Sequence, residues 1–345
     1  MNKKIIFLGG VGDKDTFGGE PTKNKHIIQA LEKRGYTVKV VDTYQSRKKF
    51  WKLFKLPLFL LFNINSPLII STSLGNIYWL IKLLYHIKSK RPIYYWGIGG
   101  LFPTQIEDGV FDKQYFSIFK TIFVEGHKMK DLLNSLGIHQ VVVVPNFKQI
   151  NYLPDISKKK TNKTIRFVFL SRIHPNKGVS LILDSVQILN NMGLDKKYTV
   201  DFYGIVDPAY KKEFQSLSER NENVFYRGSL NLLNNTGYDT LSEYDVMLFP
   251  TFWHGEGFPG VVIDAYIAGL PIIASNWNFN EEFVIDNETG IIINDKDIKS
   301  LVTAMYTIIT GKISIEIMAA NCQKRALLYN AETVLNDNLF SYLNI

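Results

Sequence analysis

Between Phe249 and Ser275 the chain reads F-P-T-F-W-H-G-E-G-F-P-G-V-V-I-D-A-Y-I-A-G-L-P-I-I-A-S. An apolar run ends at Pro250, a loop with Gly255, Gly257 and Gly260 follows, and a helix is predicted to begin near Val261. Glycine lets a backbone approach a ligand closely. The N–H groups at a helix start, with the helix dipole, favour a phosphate. Glu256 stands in this loop and Asp264 lies eight residues later, inside the helix. Two carboxylates flanking an anion site suit neutral hydroxyls, such as those of a sugar and a ribose. The same letters also describe an ordinary βα loop with a solvent-exposed Glu and an Asp on the first helical turns, and spacing alone does not separate the two.

A second group is Ser171-Arg172-Ile173-His174-Pro175-Asn176-Lys177-Gly178, directly after the apolar run Ile165–Leu170. Arg172 can make forked contacts with phosphate oxygens, and Lys177 can add a point charge just before the helix that Gly178 opens. A basic pair at a strand end is a sensible diphosphate clamp, although surface basic residues are often merely solvated. A third is Gly18-Gly19 before Pro21, which exposes a helix N-terminus in the first βα loop; Pro fits the first turn of a helix.

These residues need a scaffold of strands and helices. Short β-rich runs are predicted at Ile5–Leu8, Thr37–Val41, Leu68–Ser71, Ile93–Trp96, Thr121–Val124 and Val141–Val144. A second set is predicted at Ile165–Leu170, Thr199–Tyr203, Val224–Arg227, Val246–Phe249, Ile272–Ser275 and Ile291–Ile293. Several are continuously hydrophobic, as parallel strands buried on both faces must be. Amphipathic segments such as Lys25–Arg34 and Leu181–Asn190 lie between them. The pattern runs twice and breaks near Phe147–Lys163. The expected fold class is therefore α/β, with two Rossmann-like parallel-sheet domains facing each other across a cleft. The expected division is 1–150, a linker at 151–163, a second domain at 164–325, and a helix at 326–345 packing back toward the first.

Bulk composition limits the function classes. With 345 residues, 46% hydrophobic and 21% charged, the chain is an ordinary globular protein of two-domain length. One cysteine, Cys322, excludes an internal disulfide. No secretory signal is read at M-N-K-K-I-I-F-L-G-G, which is expected to be a buried first strand. A cytoplasmic location is expected. The net charge of +8 suits phosphorylated small molecules, nucleic acid or an anionic membrane. Arg47, Lys48, Lys49, Lys52 and Lys55 alternate with Phe50, Trp51, Leu53 and Phe54 and run into Leu56–Phe62. That stretch is far short of the roughly 20 residues that span a bilayer. It predicts peripheral docking on an anionic membrane surface, with a core helix bearing solvated lysines as the plain alternative. The lysines at 158–160 and 163 read as a solvated linker. The basic residues are scattered and no nucleic-acid motif accompanies them, so a nucleic-acid partner is not expected.

Together the motifs resemble the retaining glycosyltransferases of family 4, which have the GT-B fold. E-G-F-P-G-V-V-I-D-A-Y-I-A-G-L-P-I-I-A-S resembles that family's two acidic residues separated by seven, and S-R-I-H-P-N-K-G resembles its diphosphate-binding segment. V-P-N-F at Val144–Phe147 and E-E-F-V-I-D-N-E-T-G-I-I-I at Glu281–Ile293 resemble further family segments. The resemblance spans most of the chain and is specific over residues 165–295. It implies that Arg172 and Lys177 neutralise the departing diphosphate, that Glu256 binds hydroxyls of the transferred sugar, and that Asp264 binds the ribose. It further implies that N–H groups of Phe258, Gly260 and Val261 hold phosphate or sugar oxygens beside Gly257, and that Arg227, Gly228 and Leu230 in R-G-S-L cradle the base. Gly18 and Gly19, at the helix start in the first βα loop, are grouped with the donor site and are expected to touch the donor diphosphate or the acceptor. Three departures stand out. Asp264 replaces the usual Glu, Glu125 replaces a common Ser, and W-G-I-G-G at Trp96–Gly100 lacks the family's histidine, leaving His127 as a candidate neighbour.

The implied reaction is metal-independent transfer, with retained configuration, from a nucleotide sugar that is expected to be UDP-linked. No cofactor is implied, and no His, Cys or carboxylate spacing argues for a metal. The leaving phosphate would take the acceptor's proton, so no side-chain base is nominated. The acceptor is expected to be a growing bacterial surface glycan on a lipid carrier. The alternatives are an epimerase or phosphorylase of the same architecture and a catalytically silent glycosyltransferase-like subunit.

Overall fold

A computed structural model describes residues 4–13, 16, 18–44, 56, 60, 63–158 and 164–343. The basic-aromatic segment expected to meet a membrane lies almost wholly outside the described residues, as does most of the 158–163 lysine cluster. The chain divides into two compact units. The first comprises Met1–Lys148, Gly255–Phe258 and Ala331–Ile345; the second comprises Gln149–His254 and Pro259–Asn330.

The first unit holds strands β1 (Lys4–Gly9), β2 (Thr37–Asp42), β3 (Leu68–Ser71), β4 (Ile93–Trp96), β5 (Thr121–Val124) and β6 (Val141–Val143). They form one six-stranded sheet in the order β2-β1-β3-β4-β5-β6, with every pairing parallel. Strands β3, β4 and β5 are buried at every position, which explains why their sequences do not alternate. Strand β2 lies at the edge and leaves Thr37, Lys39 and Val40 exposed; a charged residue there discourages a second chain from pairing. Ile5, Phe7, Ile27, Leu31, Tyr94 and Phe123 anchor the core on one face.

The end of the chain completes that core. Leu335, Leu339, Phe340 and Leu343 pack into the same cluster. The Arg34 guanidinium lies 4.3 Å from the Phe340 ring centroid, and its Nε donates to Asp337 at 2.9 Å. The single helix expected over 326–345 does not form. Short turns at Leu327–Tyr329, Ala331–Val334 and Asp337–Ser341 replace it. Asn336 caps the last of these by accepting from the Leu339 N–H, and a capping asparagine starts a new helix rather than prolonging the previous one.

The second unit repeats the plan with β7 (Ile165–Leu170), β8 (Tyr198–Tyr203), β9 (Val224–Tyr226), β10 (Val246–Phe249), β11 (Ile272–Ser275) and β12 (Gly290–Ile293). Their order is β12-β11-β10-β7-β8-β9, again parallel throughout. The chain winds outward from β7 in one direction through β8 and β9, then restarts at β10 on the other side. The switch point therefore lies between β7 and β10, and in such sheets the carboxyl ends flanking it form the natural ligand crevice. All twelve predicted strands are present, with ends displaced by at most one residue.

Candidate donor site

The loops after β7 and β10 meet at the switch point of the second unit. Gly178, at φ 77°, opens helix Val179–Asn191. A Cβ on it would lie 2.1 Å from the Pro250 carbonyl oxygen, so only glycine permits this approach. The Phe252 N–H donates to the Asn176 carbonyl at 2.9 Å, joining the two loops directly. The predicted diphosphate segment and the start of the glycine loop are thus neighbours. Helices Val179–Asn191 and Gly260–Ile267 both begin without a side-chain cap, which leaves the character of an anion site at each start.

Arg172 is exposed one residue beyond Ser171, whose N–H continues the ladder to the Tyr203 carbonyl at 3.1 Å. Lys177 ends the single turn Pro175–Lys177 and is half-buried. Its Nζ stands 5.4 Å from the centroid of Trp253, which also meets the His174 ring edge-on at 5.3 Å. Trp253 is itself fixed, because its carbonyl accepts from Trp277 Nε1 at 3.0 Å. An aromatic face holds an ammonium without neutralising it.

Asp264 sits on helix Gly260–Ile267 and is 5% exposed; Glu256 is 8% exposed. The plain alternative of an exposed Glu in an ordinary loop does not hold. Asp264 Oδ1 accepts from the Tyr238 hydroxyl at 2.8 Å. Burial, then the Asp264 charge, push the Tyr238 hydroxyl far above the usual tyrosine range, so it remains a donor across the accessible pH range. Tyr238 escapes sequence reading because it lies on another helix, Asn235–Ser242, with no short-range relation to Asp264.

The R-G-S-L segment follows β9. The Arg227 Nε donates to buried Asp201 at 2.9 Å, and this bond holds its guanidinium above its ordinary pKa. Asp201 also accepts from the Tyr244 hydroxyl at 2.7 Å. Arg227 is thereby oriented while remaining exposed. The Gly228 carbonyl accepts from the Gly204 N–H at 2.8 Å, tying the ends of β8 and β9 together, and Leu230 is half-buried just beyond.

Most of the remaining predicted residues lie in the first unit. Gly18, at φ 147°, precedes helix Gly19–Lys33. Glu20 in its first turn accepts from the Gly10 N–H at 3.0 Å, and burial raises its carboxyl pKa. Gly255–Phe258, with Glu256 and Gly257, belongs to this unit, whereas Gly260, Val261 and Asp264 belong to the other. The Phe258 N–H, expected to hold a donor oxygen, donates instead to Glu125 Oε2 at 2.9 Å. His127 is exposed at the start of helix His127–Ser135.

The pattern for glycosyl transferases group 1 matches residues 154–326, half of the chain. The chain belongs to that family. Among similar proteins is the Escherichia coli UDP-Gal:alpha-D-GlcNAc-diphosphoundecaprenol alpha-1,3-galactosyltransferase. It is 26% identical over 208 residues, which are 60% of this chain and 51% of that protein. The Staphylococcus aureus capsular polysaccharide biosynthesis glycosyltransferase CapM is 25% identical over 197 residues, 56% of this chain and 50% of that one. The chain spans about half the length of the curated relatives it matches. The crystal structure of Anabaena HepE in complex with UDP superposes with a TM-score of 0.70 at 16% identity, over 99% of both chains. The two six-stranded parallel sheets are accordingly those of the GT-B fold. The family match covers the second unit, where the two basic residues and Asp264 lie.

Proposed function

We propose that this chain is a retaining, metal-independent glycosyltransferase that moves a sugar from a UDP-linked donor to a lipid-linked glycan during bacterial surface-polysaccharide synthesis. The observation that carries the reading is the meeting of the loops after β7 and β10, which sets Lys177 beside Trp253 and the uncapped start of helix Val179–Asn191 against Pro250, with Arg172 on the same β7 loop. The helix that begins at Gly260 carries buried Asp264. The UDP assignment draws on the donor named for the Escherichia coli relative and on the nucleotide named with Anabaena HepE. The acceptor class draws on the diphosphoundecaprenol-linked sugar in the former's name.

In this reading the bond between the sugar's anomeric carbon and the β-phosphate oxygen breaks, and a bond to the acceptor hydroxyl oxygen forms on the same face. The acceptor proton passes to the leaving phosphate. Arg172 and Lys177 stabilise the charge that grows on that phosphate, and their preorganised placement is what lowers the barrier. Glu256 takes hydroxyls of the transferred sugar, and Asp264, oriented by Tyr238, takes the ribose. Arg227, Gly228 and Leu230 flank the base.

A panel of nucleotide sugars scored by thermal shift tests the donor. Stabilisation follows the ratio of ligand to dissociation constant, about 2.7 kcal/mol at a hundredfold excess. UDP and one UDP-sugar should raise the melting temperature, and a panel without any response would refute the reading. The same reading places the chain at the cytoplasmic face of a membrane, on the strength of the basic and aromatic residues at 47–62. Wild type should pellet with anionic vesicles at low salt, and a Lys48, Lys49, Lys52 and Lys55 to Ser variant should stay in solution. Equal pelleting of the two would remove that segment from the account.

A further inference from the structure

We propose that Glu125, paired with Lys23, is the positioning clamp for the segment that carries Glu256. This rests on the glycosyltransferase reading and adds a residue to it. Glu125 follows β5 and Lys23 lies on helix Gly19–Lys33, both in the first unit. Their charges are 2.8 Å apart, with side-chain exposures of 4% for Lys23 and 8% for Glu125. Glu125 divides its two oxygens: Oε1 takes the Lys23 ammonium, and Oε2 takes the Phe258 N–H at 2.9 Å. The Phe258 carbonyl in turn accepts from Asn146 Nδ2 at 2.9 Å, and the Gly255 carbonyl accepts from the Gly100 N–H at 3.4 Å. The peptide group before Glu256 and the two peptide groups flanking Phe258 are therefore tied down.

Gly257 fits the same arrangement. A Cβ there would come within 2.3 Å of Glu125 Oε2 and 3.2 Å of the Gly100 nitrogen. The carboxylate occupies the space a side chain would need, so glycine at 257 and glutamate at 125 are one device. A charge-assisted bond to a backbone N–H is shorter and stronger than a neutral one. A buried ion pair adds little net stability, because desolvating two charges offsets their attraction. Its use here is geometric. Both carboxylate oxygens already meet protein donors, so Glu125 acts through Glu256 and not on the substrate.

The test compares three forms of the whole 345-residue chain: wild type, Glu125→Ser, and the double variant Lys23→Met/Glu125→Gln. The double variant removes both charges but keeps an amide oxygen for the Phe258 N–H. Donor turnover, KM and bare UDP affinity are measured on samples whose circular dichroism and melting curves show a folded protein. Glu125→Ser should lower kcat by about 10–100-fold, as displacement of a positioning group by about an ångström does. UDP affinity should stay within about twofold, because the residues assigned to the nucleotide lie in the second unit. The double variant should recover most of the lost kcat. Wild-type kcat in folded Glu125→Ser, or equal losses of kcat and UDP affinity, would overturn the clamp. Should Glu125→Ser not fold, the double variant decides: activity supports the clamp, and a folded but inactive protein overturns it. A wild type that binds no UDP would instead overturn the enzyme reading itself, so the two failures are distinct.

Discussion

Arg172→Ala and Lys177→Ala are each expected to lower turnover of the nucleotide sugar by about 10²–10³-fold, with melting temperatures unchanged. The size follows from what each cation does. In the proposed reaction charge accumulates on the leaving diphosphate in the transition state, and a cation placed beside it stabilises that charge more than it stabilises bound donor. The unchanged stability follows from their places. Arg172 is exposed on a loop and Lys177 is half-buried at the end of a single turn, and neither belongs to the apolar core. Lys177→Arg should recover part of the loss, since charge is kept while the seat on Trp253 is altered. Steady-state kinetics on purified variants decides this. Near-wild-type turnover by either alanine variant would remove that residue from the diphosphate clamp.

Asp264→Ala is expected to weaken binding of free UDP by about 10–100-fold, the range for losing a hydrogen bond to a charged group. In the proposed reading the loss has two parts: the ribose loses its acceptor, and the Tyr238 hydroxyl, which donates to Asp264 at 2.8 Å, loses its partner. Asp264→Glu supplies the residue that the resemblance implies at this position and should bind UDP as well as wild type or better. Glu256→Ala should behave differently, cutting kcat while leaving affinity for free UDP nearly intact, because the nucleotide carries no transferred sugar for it to hold. Isothermal titration with UDP, set beside turnover, separates the two carboxylates. Equal loss of UDP affinity in both variants would mean that the division of roles is wrong.

The fold was legible because parallel strands leave a plain trace. Runs such as Ile69–Ile70 and Ile272–Ile273 are buried on both faces, and burial on both faces demands continuous apolar residues. The loops were legible where backbone geometry restricts residue type. Gly178 is there because the Pro250 carbonyl leaves no room for a Cβ. What stayed hidden depends on distant partners. Nothing in the first βα helix marks Lys23 as the partner of Glu125, 102 positions away. Tyr238 looks like any aromatic on an amphipathic helix until the fold places it against Asp264. The end of the chain misled for a local reason: residues 326–345 are helix-compatible in composition, but Asn330 and Asn336 interrupt them, and Asn336 caps a fresh turn.

The most direct measurement is release of free UDP by the purified 345-residue chain, supplied with the UDP-sugar that gives the largest thermal shift. It is run with and without a polyprenyl-diphosphate-linked sugar as acceptor. The account predicts UDP release that depends on the acceptor, in a one-to-one ratio with an elongated lipid-linked product that keeps the donor's anomeric configuration, and undiminished by a chelator. Release at the same rate without acceptor, an epimerised sugar with UDP still attached, or a product of inverted configuration would contradict it.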